Sequence, residues 1–261
     1  MKKPRIAIHK FTSCDGCQLA FLHLGKDLLD LAEKVDIVHF VEMGPINPLA
    51  EVDVAYIEGS ISTPDEKERI QRIRANSRYV ITIGACATAG GIQALRNFSN
   101  TQEWMKAIYA TPDTIATLEA STAISSHIKV DFEIYGCPVN SQQILASLLS
   151  ILYQTTPTAP RDKVCLECKR LGYTCVMVSK GEACMGPVTQ TGCGALCPSL
   201  GRACYACYGP AENTNTASLT KWLSSLGLSD AEIVRRFLFI QNNAPEFKEA
   251  ALKLRSKHDH G

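Results

Sequence analysis

Twelve cysteines are the residues of this 261-residue chain with the most distinctive chemistry. Four are spread over the first 137 residues, and eight fall between positions 165 and 207. Clustered cysteines form disulfides in oxidising compartments, whereas in the reduced cytosol they usually bind metal. The basic start Met1–Arg5 is followed by no long apolar stretch, so a secretory signal is not expected. The sequence therefore favours a cytoplasmic protein whose cysteines bind metal.

The first cysteine set comprises Cys14, Cys17, Cys86 and Cys137. Each follows a segment with strand character, and loops at the carboxyl ends of parallel strands share one edge of a sheet. Four thiolates that converge there suit either a zinc ion or a [4Fe–4S] cluster. The cluster is favoured by Pro138, because a final cluster ligand is often followed by proline, and by neighbouring glycines that expose N–H groups. A thioredoxin-like redox pair at Cys14 and Cys17 is the weaker alternative.

Glu58 follows a predicted strand and is expected at the same edge of the sheet. Its carboxylate could accept hydrogen bonds from loop N–H groups beside a cluster, or it could relay protons. The competing interpretation is an ordinary loop or helix-cap glutamate. We expect no catalytic residue on this chain beyond this supporting role.

The other eight cysteines divide by sequence order into two sets. The second set is Cys165, Cys168, Cys175 and Cys184, and the third set is Cys193, Cys197, Cys204 and Cys207. Two CxxC pairs at the ends of this segment are typical of a zinc ribbon, which would use only four of these thiols. The strict cysteine run of bacterial ferredoxins is absent. Spacing leaves zinc open, but three sets on one chain favour iron–sulfur clusters, since several clusters together can carry electrons.

Alternating strands and helices must position the first set. The predicted strands are Arg5–His9, Val35–Val41, Val52–Ile57, Tyr79–Ile83 and Val130–Tyr135, and the predicted helices between or after them are Leu19–Lys34, a helix from Thr63 to Asn76, and Ser141–Tyr153. This order predicts an α/β fold with a doubly wound parallel sheet. Residues 1–155 are expected to form this domain. Residues 156–261 are expected to form a mostly irregular, cysteine-rich domain with C-terminal helices that begin near Ser229 and Pro245.

The overall charge excludes several function classes. Lys and Arg total 27 against 26 for Asp and Glu, so no polycationic surface for nucleic acid is indicated. The longest apolar stretch, Ile144–Leu152, is too short to span a bilayer. We therefore expect neither a nucleic-acid partner nor a membrane span.

These segments together resemble the small subunits of [NiFe] hydrogenases over roughly residues 5–210. The matching stretches are Thr12–Gln18, Ile57–Ile61, Gly84–Gly91, Tyr135–Pro138, Cys165–Lys169, Cys184–Thr189, Cys193–Pro198 and Cys204–Cys207. The resemblance implies a flavodoxin-like domain and three [4Fe–4S] clusters: a proximal cluster on the first set, a distal cluster on the second set and a medial cluster on the third.

The resemblance also implies partners and a role in electron transfer. The nickel–iron site would lie in a separate large subunit, and this chain would relay electrons between that site and flavin/NAD(P)-binding and ferredoxin-like subunits. Membrane-bound relatives usually carry a histidine at the first distal position and only three medial cysteines. Cys165 and the fourth cysteine of the third set instead resemble the cytoplasmic, multisubunit enzymes. The alternatives are a subunit like that of respiratory complex I, which lacks the eight-cysteine segment, and a zinc-stabilised interaction module.

Overall fold

The computed structural model describes residues 3–256 and contains two compact units, which divide between Thr158 and Ala159. The first unit holds a five-stranded sheet in which all neighbouring strands are parallel. Its strands are β1 Arg5–Lys10, β2 Asp36–Phe40, β3 Val52–Glu58, β4 Ser77–Ile83 and β5 Phe132–Ile134. Their order, β2-β1-β3-β4-β5, is that of flavodoxin-like folds. The predicted α/β fold is therefore confirmed.

Six α-helices flank this sheet within the described residues. They are α1 Gly16–Leu22, α2 Lys26–Ala32, α3 Pro64–Ala75, α4 Gly84–Ala89, α5 Thr101–Ile108 and α6 Ser141–Leu152. The prediction of a single helix from Leu19 to Lys34 is wrong. The helix is interrupted before Gly25, because the positive φ of 55° at this residue cannot continue a right-handed helix. The predicted start of α3 is confirmed: Thr63 and Glu66 form a capping box around Pro64.

The strand register aligns the carboxyl ends of four strands. Lys10 at the end of β1 lies opposite Glu58 at the end of β3, and Glu58 lies opposite Ile83 at the end of β4. Ile83 in turn pairs with Ile134 at the end of β5. The loops that follow these strands therefore leave the sheet along one rim. β5 is an edge strand of three residues and pairs with β4 alone.

Apolar side chains cover both faces of the sheet. Tyr56 and Ile57 are successive, fully buried residues of β3, and they belong to two different hydrophobic clusters because strand side chains alternate between faces. The cluster around Tyr56 includes Phe21 of α1 and Ile144 of α6, whereas the cluster around Ile57 includes Ile70 of α3. Sandwiched in this way, the strands are held firmly and can position the rim loops.

The second unit combines short helices with irregular segments. Its helices are α7 Val164–Arg170, α8 Val176–Ser179, α9 Leu196–Ser199, α10 Thr216–Ser225, α11 Asp230–Phe237 and α12 Pro245–Arg255. Both expected helix starts are present, since Ser229 and Glu232 form a capping box and Pro245 occupies the first position of α12. Across residues 3–256, no helix is both long and apolar enough to cross a bilayer.

Candidate metal centre

The loop after β1 carries two cysteines of the first set in a fixed conformation. Asp15 adopts a left-handed conformation with φ of 65°, and its carboxylate accepts a hydrogen bond from Lys10 Nζ at 2.5 Å. Helix α1 begins directly afterwards and contains Cys17, which is buried, whereas Cys14 is exposed. The ion pair therefore fixes the turn that separates these two thiols.

Glu58 lies in direct contact with this loop. Its side chain is buried and accepts hydrogen bonds from the backbone N–H groups of Cys17, at 2.9 Å, and Gln18, at 3.3 Å. These N–H groups belong to the first turn of α1, where the helix offers them no partner. Burial raises the pKa of the Glu58 carboxyl, and the two N–H donors oppose that rise. The carboxylate thus accepts hydrogen bonds from N–H groups of the cysteine loop, while a supporting role beside a cluster and proton relay stay predictions.

The loops after β4 and β5 meet this first loop. A Cβ atom added to Gly84 would lie only 2.5 Å from Cys17 Sγ, so the start of α4 contacts that sulfur directly. The N–H of Ala85 donates to the carbonyl of Gly136 at 2.9 Å, which joins the start of α4 to the loop of Cys137. Gly16 lies beside both Cys14 Sγ and the Pro138 ring, each 3.5 Å from its ideal Cβ position. The three cysteine-bearing loops are thereby in mutual contact.

The thiols of the first set influence one another. Burial raises the pKa of Cys17, Cys86 and Cys137, to about 11 for Cys86. A smaller increase comes from the other thiols, with Cys137 and Cys14 acting on Cys86 and Cys14 acting on Cys137. Buried neighbouring thiolates are unfavourable unless a cation compensates their charge. These three sulfur atoms, with that of the exposed Cys14 beside them, therefore fit a site for a cationic metal group.

Gln93 is a site residue that the sequence did not single out. Its Nε2 donates to the carbonyl of Thr12 at 2.9 Å and lies 3.5 Å from Cys86 Sγ. The side chain thus joins the first cysteine loop to the sulfur that follows β4. The one feature of the sequence that could have indicated a site residue here is its position two residues after the Gly90-Gly91 pair.

The second set also comes together in the structure. Cys165 and Cys168 lie on α7, and an ideal Cβ on Gly186 would be 3.3 Å from Cys165 Sγ and 3.5 Å from Cys184 Sγ. Burial raises the pKa of Cys165 to about 11, and Cys184, Cys175 and Cys168 raise it further. Cys175 is exposed at the start of α8. The other three thiols of this set therefore all raise the pKa of Cys165.

The third set is less clearly separated from the second. The N–H of Cys204 donates to Cys184 Sγ at 3.2 Å, although sequence order assigns these two residues to different sets. Burial raises the pKa of Cys204, and both Cys184 and Cys207 add to that rise. Burial raises the pKa of Cys184, and Cys197 adds to that rise. The division into a second and a third set therefore stays a prediction.

Backbone N–H groups point at sulfur in this segment. Besides the bond from Cys204 to Cys184, the N–H of Ala206 donates to Cys204 Sγ at 3.4 Å. Such donors stabilise thiolates and tune the potential of a bound cluster. Their presence fits iron–sulfur ligation of the type expected from the sequence.

Glu167 is the second site residue that the sequence did not single out. Its carboxylate accepts hydrogen bonds from the N–H groups of Gly194 and Ala195, each at 3.1 Å, and from the hydroxyl of Thr191. It lies between Cys165 and Cys168 in the sequence, and nothing in the pattern there indicated a contact with another cysteine loop. The structure places it against the loop that follows Cys193.

A single-ion site is not preformed among the described residues. Within positions 3–256, no three His, Cys, Asp or Glu side chains lie close enough together to hold one metal ion. A zinc ion would need its thiolates about 2.3 Å from one atom, whereas a four-iron cluster spreads its ligands more widely.

Comparison with protein families gives a match over the first unit. The model of the family described as NADH ubiquinone oxidoreductase, 20 Kd subunit, matches residues 14–151. The matched region contains the whole first set and ends before the eight-cysteine segment.

The two relatives below that match most of the chain are hydrogenase subunits, and so is a third that matches a smaller part of it. The chain is 34% identical to the sulfhydrogenase 2 subunit delta of Pyrococcus furiosus over 232 residues, which cover 89% of this chain and 97% of that relative. It is 28% identical to a subunit of the F420-non-reducing hydrogenase vhu of Methanococcus voltae, over 80% of this chain and 83% of the relative. The NAD-reducing hydrogenase HoxS subunit delta of Cupriavidus necator is 28% identical over 56% of this chain and 77% of its own length.

Solved structures agree on the fold. An NAD+-reducing [NiFe]-hydrogenase in the H2-reduced state superposes with a TM-score of 0.57 at 27% identity, over 61% of this chain and 96% of the matched chain. An actinobacterial-type NiFe-hydrogenase from Ralstonia eutropha H16 gives a TM-score of 0.59 at 18% identity, over 100% of this chain and 91% of the matched one. The second likeness shows the fold alone.

Proposed function

We propose that this chain, which belongs to the NADH ubiquinone oxidoreductase 20 Kd subunit family, is the iron–sulfur small subunit of a [NiFe] hydrogenase. Its relatives over most of its length are hydrogenase subunits, so it is itself a hydrogenase subunit of the electron-transfer type. The finer proposal is that it relays electrons between a nickel-containing large subunit and a flavin/NAD(P)-reducing partner.

One observation supports this proposal most strongly: the three loops that carry the four cysteines of the first set leave one rim of the sheet and contact one another. The contact between Gly84 and Cys17 Sγ and the bond from Ala85 to Gly136 join the loops of Cys17, Cys86 and Cys137. An interaction module would need no such convergence at the ligand-binding edge of its sheet. The arrangement supports a redox group held at the end of β1, β4 and β5.

Each cysteine set would hold one [4Fe–4S] cluster, three in all. The first set would hold the proximal cluster, the third set the medial cluster and the second set the distal cluster. Such clusters supply one-electron carriers whose potential depends on hydrogen bonds, net charge and burial. The chain's own contribution is to supply thiolates, to donate N–H groups to sulfur from Cys204 and Ala206, and to exclude water around buried residues such as Cys17.

The partners follow from the relatives. A [NiFe] large subunit would hold the catalytic metals, and flavin/NAD(P)-binding and ferredoxin-like subunits would exchange electrons with this chain. The NAD-reducing relative and the NAD+-reducing solved structure support a nicotinamide-linked complex, and its cytoplasmic location stays a prediction from the sequence.

A subunit like that of respiratory complex I is the second candidate, because the matching family carries that description. The family match stops at residue 151, however, whereas the sulfhydrogenase relative extends over 89% of the chain. The eight-cysteine segment therefore favours the hydrogenase.

Metal analysis of the complex purified without oxygen tests the proposal. Three clusters predict about twelve iron atoms and about twelve sulfides per chain, with a brown colour and a co-purifying large subunit. A colourless chain with two or three zinc ions, or one that purifies without any large subunit, would contradict it.

A Cys137→Ala exchange tests the electron-transfer role directly. The variant complex should lose the iron of the first set and should no longer reduce its external acceptor with H2. Full acceptor reduction with the other clusters intact would defeat the assignment of Cys137.

A further inference from the structure

One glutamate connects the two cysteine sets of the second unit. Glu167 lies on α7 between Cys165 and Cys168 of the second set. Its carboxylate is bound to the loop that follows Cys193 of the third set, through the N–H groups of Gly194 and Ala195. A side chain that belongs to one ligand segment therefore holds the other.

The loop after Cys193 depends on this anchor. Gly194 and Ala195 adopt successive left-handed conformations, with φ of 69° and 49°, and Ala195 is fully buried. A left-handed conformation is unfavourable for alanine and persists only where its surroundings enforce it. Their two neighbouring N–H groups converge on one carboxylate, and successive N–H groups arranged in this way bind anions.

The carboxylate has no need of a distant counter-ion, because the loop supplies its donors. Oε1 accepts from Gly194, whereas Oε2 accepts from Ala195 and from the hydroxyl of Thr191. The negative charge therefore lies at a fixed place beside both ligand segments.

We propose that Glu167 is a positioning residue that holds the loop of Cys193 in its ligating conformation, and that its charge lowers the reduction potentials of the groups bound by the second and third sets. This inference rests on the proposed function, because it requires iron–sulfur clusters at both sets. A fixed negative charge disfavours the arrival of an electron, and net charge is one of the properties that set cluster potentials.

Two variants separate the charge from the anchor. Glu167→Gln removes the charge and keeps one acceptor oxygen of similar shape, whereas Glu167→Ala removes the anchor as well. Glu212→Gln is the matched control, since Glu212 is an exposed glutamate of the same unit that pairs with Arg161 at 3.8 Å. Each anaerobically purified complex is analysed for iron and titrated with reductant while its clusters are followed by electron paramagnetic resonance.

The Glu167→Gln complex should keep its iron. At a fixed applied potential, the reduced-to-oxidised ratio of both clusters should rise by up to about tenfold, which corresponds to a reduction potential about 59 mV higher for a one-electron couple. Glu167→Ala should lose about four iron atoms, those of the third set. The Glu212→Gln complex should match the wild type in both measurements.

Two outcomes overturn the inference alone. Wild-type potentials for both clusters in the Glu167→Gln complex, or full iron content in the Glu167→Ala complex, would leave Glu167 without the proposed role. A wild-type complex that shows no cluster signals would instead overturn the proposed function, and this inference with it.

Discussion

The contact between Gly84 and Cys17 gives the sharpest test of the first cysteine set. Gly84 has a φ of +92°, and its ideal Cβ lies 2.5 Å from Cys17 Sγ and 3.3 Å from the carbonyl oxygen of Gly136. Non-bonded heavy atoms prefer separations of about 3.5–4.0 Å, so a Gly84→Ala exchange would push the sulfur by about 1 Å. Cys17 cannot yield freely, because it is buried and its N–H is bound to Glu58.

The expected magnitude has two parts. A left-handed conformation costs an alanine about 1–2 kcal/mol, and overpacking of a filled site costs about 1–3 kcal/mol more. Gly84→Ala should therefore lower the free energy of unfolding by about 2–5 kcal/mol. It should also displace one ligand of the first set, so that about four of about twelve iron atoms are lost.

Gly227→Ala is the matched control for this exchange. Gly227 has nearly the same φ, +88°, but no atom lies within 4 Å of its ideal Cβ position. In this variant the free energy of unfolding should fall only by the conformational cost of about 1–2 kcal/mol, and the iron should be retained. Urea unfolding and iron analysis of the two proteins measure both quantities. If Gly84→Ala keeps its full iron content and is no less stable than the control, the reasoning about Cys17 is refuted.

Three further predictions concern other parts of the first unit and one matched site. Replacing Gln93 by Met removes the N–H donor beside Cys86 Sγ. The reduction potential of the first cluster should then become more negative by tens of millivolts, while the iron is retained. An unchanged potential in a redox titration would contradict this prediction. Glu66→Ala should lower the free energy of unfolding by about 2–4 kcal/mol, because this buried carboxylate accepts two hydrogen bonds, from the Thr12 hydroxyl and the Ser62 N–H, beyond the one from Thr63 in its capping box. Glu232→Ala in the exposed capping box should cost much less, and equal losses in urea unfolding would refute the difference. Burial lowers the pKa of His9 to about 3, so His9 is neutral in the folded state. The free energy of unfolding should therefore decrease as pH falls from about 6.5 towards 3, by up to about 1.4 kcal/mol per pH unit. His9→Gln should flatten this slope, and a wild-type slope in that variant would contradict the prediction.

The sheet and its rim could be predicted because they depend on local patterns. Apolar runs such as Val52–Ile57 mark buried strands, and parallel strands deliver their following loops to one edge whatever the loops contain. The convergence of the first set followed from that rule alone. The limits of the elements were less predictable, as the break before Gly25 shows, since one backbone angle decides whether a helix continues.

Contacts between distant segments left no such pattern. Glu167 accepts hydrogen bonds from a loop 27 residues away, and Gln93 donates one to Thr12 across 81 residues, and no periodicity in the sequence predicts either contact. The boundary between the second and third sets was hidden for a related reason. Sequence order separates Cys184 from Cys204, whereas the fold places the N–H of one against the sulfur of the other.

The shortness of β5 has a consequence for how firmly the sheet holds the loop of Cys137. Cys14 and Cys17 follow the interior strand β1, and Cys86 follows the interior strand β4, so moving them would disturb paired strands on both sides. Cys137 follows a three-residue strand at the edge, which is paired on one side only. The sheet therefore holds the base of the Cys137 loop less firmly than the bases of the other two loops. The position of Cys137 depends instead on contacts with those loops, such as the bond from the Ala85 N–H to the Gly136 carbonyl.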